Sequence, residues 1–100
     1  MVATIQENDN QYVATLKGEL DTSAAVEAEQ VLKPLYKSDG RDIVIDCTDL
    51  EYIASSGLRI LLSILKQAKS HDCNLVLRNV NDDIKDVFRM TGFINIFQFE

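Results

Sequence analysis

Ile53-Ala54-Ser55-Ser56-Gly57-Leu58 joins a β-branched run, Ile43-Val44-Ile45-Asp46, to an apolar helical stretch that begins at Leu58. Two hydroxyls therefore stand where a strand gives way to a helix. The first backbone N–H groups of a helix have no intrahelical partners and carry the positive end of its dipole. A hydroxyl placed there caps the helix, and a phosphoryl group placed there is held. Ser55 or Ser56 is thus a cap, a phosphorylation site, or both.

Reading outward, a helix is predicted from about Ser56 to Ser70, because Leu58, Leu61, Leu62, Leu65 and Ala68 recur at helical spacing and form one apolar face. Lys66 and Lys69 suit its C-terminal dipole. Upstream, Asp42 to Cys47 reads as a strand whose continuous apolar centre suggests cover on both faces and a place in the middle of a sheet. An earlier helix opens at Asp21 or Thr22 and runs to about Ser38, with Ala24, Ala25, Ala28, Val31, Leu32 and Leu35 among its apolar positions. Pro34 predicts a kink or an early end, and Ser38-Asp39-Gly40 a stop. Val2 to Glu7 and Tyr12 to Lys17 read as antiparallel strands around the turn cluster Asn8-Asp9-Asn10, with Gly18-Glu19-Leu20-Asp21 closing the second. Downstream follow a strand from Asn74 to Asn79, a helix from Asp82 to Met90 with Ile84, Val87 and Phe88 inward, and a last strand from Phe93 to Phe99. Strands separated by helices pair in parallel through right-handed crossovers. The expected class is α/β: a small mixed β-sheet of four to five strands with two to three helices packed on it.

Residues 1–100, with 46% hydrophobic content, suffice for a single domain with one core. A formal net charge of −6 argues against nucleic acid as a partner, since binding a polyanion rests on Lys and Arg neutralising phosphates. No apolar run approaches the roughly 18 to 20 residues of a membrane span, and no leader pattern is present, so direct membrane insertion is not expected and a cytoplasmic location is. Cys47 and Cys73 lack metal-ligand or redox spacing and read as buried free thiols; no metal or cofactor is implied. An enzyme built on these serines needs a general base. His71, the one histidine, lies about 22 Å along the helix axis from Ser56, and no GxSxG or GxGxxG motif occurs. The reading is non-enzymatic.

Three landmarks, Gly18-Glu19-Leu20-Asp21 after the second strand, Asp46 to Leu50 followed by Ser55-Ser56-Gly57-Leu58, and Thr91-Gly92-Phe93 after the last helix, occur in this order nearly end to end. In this the chain resembles a STAS domain of the anti-sigma factor antagonist type. The resemblance implies a protein-binding module that sequesters an anti-sigma factor, itself a serine kinase, and so frees a sigma factor. Phosphorylation ends the sequestration and a serine phosphatase restores it. The family's modified serine corresponds to Ser55, with Ser56 as the alternative, and the aspartate of its GELD segment to Asp21. The aspartate that precedes the serine in the family is Ala54 here.

On this reading Asp21, Thr22, Glu51, Tyr52, Ala54, Ser56, Gly57 and Leu58 form the partner-binding set, with Glu51 and Tyr52 in a loop before the serines. Asp21 is equally a helix cap, and the two serines equally an ordinary N-cap. Ala54 keeps a second reading open, a STAS scaffold or transport-complex subunit that is not phosphorylated. The oligomeric state is not legible, because the last strand can pair with its own sheet or with another chain.

Overall fold

The computed structural model describes residues 1–37 and 40–100, so the predicted stop at Ser38 and Asp39 lies outside the described residues. Strands β1 (Val2–Glu7) and β2 (Gln11–Leu20) form the antiparallel hairpin, closed by the Asn8 N–H donating to the Gln11 carbonyl at 2.8 Å. Helix α1 (Thr22–Leu32) gives way to a 3₁₀ turn over Lys33–Lys37 that contains Pro34, because proline has no N–H for the α-helical ladder. Then follow β3 (Asp42–Ile53), α2 (Ser55–Ser70), β4 (Leu75–Arg78), α3 (Asp82–Met90) and β5 (Gln98–Phe99). The sheet order is β1-β2-β3-β4-β5, with every pair after the first parallel. As its apolar centre predicts, β3 is the middle strand.

Side chains alternate across a strand. Tyr12, Ala14 and Leu16 of β2, Ile43, Ile45 and Cys47 of β3, and Leu75 and Leu77 of β4 join Ala28, Leu61, Ile64, Ile84 and Phe88 of the helices in one core. Val44 pairs with Val13 and Val76 on the opposite face, and these three do not belong to that core. The expectation of cover on both faces is thereby corrected. The helices pack on one face, and Val44 is buried by its cross-strand neighbours instead.

Both central strands run further than predicted. Strand β2 continues through Gly18-Glu19 to Leu20 rather than ending there, and β3 continues past Cys47 to Ile53. The β2–β3 register slips twice. Lys17 follows Thr15 by two residues while their partners Asp49 and Asp46 are three apart, and Gly18 and Glu19 face Leu50 and Tyr52. Each slip adds one residue to β3, the mark of a β-bulge. At the first, Asp46 Oδ1 accepts from the Thr48 N–H at 3.0 Å and from its hydroxyl. The Thr48 contacts, hydroxyl first, hold the Asp46 carboxyl below its ordinary value. Glu51 is the extra residue of the second, so Cys47, Leu50 and Ile53 all reach the core at a spacing of three.

The C-terminal end is held by aromatic packing. Phe88 meets Phe97 and Phe99 edge-to-face, with ring centroids 5.3 and 5.4 Å apart. The predicted last strand is shorter than expected. The Phe93 and Ile94 N–H groups both donate to the Phe88 carbonyl, which folds residues 93–97 into turns and leaves only Gln98–Phe99 to pair with β4 of the same sheet. Cys47 and Cys73 are buried thiols, and burial pushes the Cys47 thiol up to about 12, which leaves it unreactive near neutrality. Among the described residues no helix is long and apolar enough to cross a membrane.

Candidate functional site

The C-terminal ends of β2 and β3 lie side by side, so the starts of α1 and α2 emerge together at one end of the sheet. One backbone hydrogen bond ties them: the Ala54 N–H donates to the Leu20 carbonyl at 2.9 Å. Asp21 follows the acceptor and Ser55 follows the donor, which brings the two predicted residues to the same corner of the molecule.

Asp21, not Thr22, caps α1. Its Oδ1 accepts from the Ala24 N–H at 2.8 Å and from the Ser23 hydroxyl at 3.1 Å. These bonds, the Ala24 N–H first, hold the carboxyl below the ordinary aspartate value. Thr22 is exposed beside it.

At α2 neither serine is the cap. Ala54 takes that position with extended backbone, φ −89° and ψ 168°, and accepts the first helical bond from Leu58 N–H at 3.0 Å, but its methyl group accepts nothing. Ser55 is the first helical residue and is exposed, whereas the Ser56 hydroxyl oxygen is buried and has no hydrogen-bond partner. Gly57 is inside the helix rather than in a turn. A Cβ there would stand 2.7 Å from Leu20 Cγ and 3.0 Å from Ile53 Cγ1, so the glycine lets α2 press its backbone against the ends of β2 and β3.

Two members of the predicted partner-binding set are corrected. Leu58 is 1% exposed and Gly57 is buried; both belong to the packing that seats α2, and neither offers a side chain to a partner. Glu51 and Tyr52 are exposed as expected, but on the bulged end of β3 rather than in a loop. Tyr52 retains 47% of its surface.

Two recesses flank the corner. One, of about 430 Å³, is rimmed by the carboxylates Glu19, Asp21, Glu27 and Glu51. The other, of about 270 Å³, runs between α1 and α2 and is lined by Val26, Glu29, Ser56, Arg59 and Ser63. Val26 and Arg59 were not singled out from the sequence, although Arg59 falls four residues after Ser55, which is the helical signal that could have found it. Among the described residues no group of His, Cys, Asp and Glu is arranged to hold a metal ion. His71 ends α2, its Nδ1 2.8 Å from the Gln67 carbonyl, far from both serines.

A five-stranded mixed sheet with helices on one face, and a helix mouth opening beside a capping aspartate, define a small α/β module. The family model for the STAS domain matches residues 2–100, and the chain belongs to that family. It is 33% identical over 84 residues to the anti-sigma-B factor antagonist of Staphylococcus aureus, covering 84% of this chain and 78% of that one. It is 32% identical over 97 residues to BtrV of Bordetella bronchiseptica, provisionally named an anti-sigma factor antagonist, covering 97% and 84%. Among solved structures, the anti-sigma factor antagonist SpoIIAA in its unphosphorylated form superposes with a TM-score of 0.81 at 18% identity, over 99% of this chain and 88% of that one. The phosphorylated form of SpoIIAA from Bacillus gives 0.75 at the same 18% identity, over 99% and 91%.

Proposed function

We propose that this chain is an anti-sigma factor antagonist: unmodified, it binds an anti-sigma factor through the corner where α1 and α2 begin, and phosphorylation of Ser55 by that partner's serine kinase activity ends the binding. The observation that carries the reading is the contrast between the two serines. Ser55 presents its side chain to solvent on the first turn of α2, while the Ser56 hydroxyl is enclosed. In the transfer, the Ser55 Oγ–P bond forms as the bond between the β,γ-bridging oxygen of ATP and its γ-phosphorus breaks; ADP leaves and the hydroxyl proton passes to a base of the kinase. A serine phosphatase reverses the modification by hydrolysis. These reactions take place in the cytoplasm.

Phosphorylation does not have to refold the chain. It adds a charge of about −1.5 to −2 at pH 7 beside free N–H groups that favour an anion. A partner packed over Ser55 must desolvate that charge, and a hundredfold loss of affinity needs only about 2.8 kcal/mol. The Asp21 corner, with Thr22, Glu51, Tyr52 and Ala54 around it, supplies the remaining contact surface, and its carboxylates favour a basic patch on the partner.

Incubation with the anti-sigma factor and ATP, followed by peptide mass analysis, should place one phosphate on Ser55. It should persist in Ser56→Ala and vanish in Ser55→Ala, and Ser55→Asp should lose partner affinity by tenfold or more. Incorporation that survives Ser55→Ala would defeat the assignment. Ala54, which stands where the family resemblance implies an aspartate, favours the second reading of a STAS scaffold or transport-complex subunit. That reading predicts capture of such a subunit and no phosphate on either serine.

A further inference from the structure

Arg41, Arg78 and Arg89 are tied into ion pairs, with Glu7, Glu100 and Asp86 respectively. Arg59, the remaining arginine, is exposed and makes no ion pair among the described residues. It also stands nearer the positive end of the α2 dipole than the negative one, where a cation gains nothing from the helix. Glu29 lines the same groove but is not within ion-pair distance. What Arg59 does face is set by helical geometry. Residues four apart on a helix are surface neighbours, with Cβ atoms about 5–6 Å apart, and Ser55 and Arg59 are such a pair on one continuous α-helix.

We propose that Arg59 receives the phosphoryl group of Ser55: once the serine is modified, the guanidinium closes over the phosphate and holds it against the first turn of α2. This rests on the reading of Ser55 as the modified residue. An anion at the first position and a cation four residues later is the favoured order for such a pair. The planar guanidinium offers two parallel N–H donors to phosphate oxygens, which a lysine ammonium does not. The carboxylates near this corner oppose the modification: Asp21 at the start of α1, Glu29 on α1 and Glu51 on β3. Arg59 offsets them locally. Its engagement also withdraws the one cation that lines the groove between α1 and α2 among the described residues, so a single modification changes the mouth of α2 and the neighbouring groove together.

The test uses the full chain with phosphoserine installed during translation at position 55, in wild type, Arg59→Gln and Arg59→Lys, and follows the phosphate titration by phosphorus NMR. Arg59 is exposed and outside the core, so the variants should fold, which circular dichroism checks. The second ionisation of the phosphate should lie about half a unit lower in wild type than in Arg59→Gln, with Arg59→Lys between them. Coincident titrations in wild type and Arg59→Gln overturn the proposal. The unmodified chain is incubated in parallel with the anti-sigma factor and ATP. Absence of incorporation there defeats the reading of Ser55 as a kinase target while the titration still reports on Arg59. Normal incorporation with coincident titrations defeats the Arg59 assignment alone.

Discussion

Among the described residues, α1 and α3 each open on a side chain that accepts from their first turn, and α2, the longest helix, does not. Asn81 Oδ1 accepts from the Ile84 N–H at 2.9 Å, and Asp82 and Asp83 place negative charge at the positive end of α3. Asp21 does the same work for α1. At α2 the cap is an alanine, and no acidic residue lies in the first turn. The difference follows from what holds each helix down. Helix α2 buries Leu58, Ile60, Leu61, Ile64, Leu65 and Ala68, whereas α3 buries only Ile84 and Phe88 and depends more on its ends. The helix with packing to spare is the one whose mouth is left chemically open, and that is the helix carrying Ser55. The comparison breaks first at α3. Asn81→Ala removes the cap and also the Nδ2 bond to the Leu50 carbonyl at 3.2 Å, and should cost about 1–2 kcal/mol in urea unfolding. A loss below a few tenths would mean that α3 is not end-dependent.

The reverse change sharpens the comparison at α2. The backbone of residue 54 already has the extended geometry of an N-cap, so Ala54→Asp introduces an acceptor for free N–H groups without moving the chain. A cap gains about 1 kcal/mol in an ordinary setting, and repulsion from the nearby Asp21 and Glu51 carboxylates reduces it. The expected stabilisation is about 0.5–1 kcal/mol, read from the same urea curves. No gain would show that the mouth of α2 is already satisfied and would remove the contrast.

How much of this was legible in the sequence divides along the same lines. Helical spacing gave α2 and α3 to within a residue, because Leu58 to Ala68 and Ile84 to Phe88 keep one period throughout. Alternation carries strand β3 only to Cys47, because its two bulges turn a period of two into Cys47, Leu50, Ile53, which no alternation rule detects. That placed Glu51 and Tyr52 in a loop. The open face of the sheet was missed because Ile43-Val44-Ile45 looks the same whether Val44 meets a helix or only Val13 and Val76. At the site, the nearness of Asp21 to Ser55 rests on family resemblance in the sequence, since the Ala54–Leu20 hydrogen bond that joins their neighbours is a tertiary contact between backbone groups. The exchange of roles between Ala54 and the serines was not legible, because capping preference favours the hydroxyls and tertiary packing of Gly57 against Leu20 decides where the helix starts.

The smallest effect separates the cap of α1 from its charge. The Asp21 carboxyl is held below the ordinary aspartate value of 3.8, chiefly by the Ala24 N–H and then by the Ser23 hydroxyl. A carboxyl whose pKa is lower in the folded than in the unfolded chain binds fewer protons when folded, so its contribution to stability is complete above the unfolded value and disappears as pH falls through the folded one. Asp21→Asn keeps a capping oxygen and removes the titration. Urea midpoints of wild type and Asp21→Asn should therefore differ most above about pH 5 and approach each other as the pH falls below about 4. A gap that stays constant over that range would show that the charge of Asp21 does not stabilise α1, leaving its carboxylate to be explained by the partner face alone. Because Asp21 shares its corner with Ser55, the same pair of proteins then serves at neutral pH. If anti-sigma factor affinity falls far more in Asp21→Asn than stability does, the carboxylate acts on the partner as well as on its own helix.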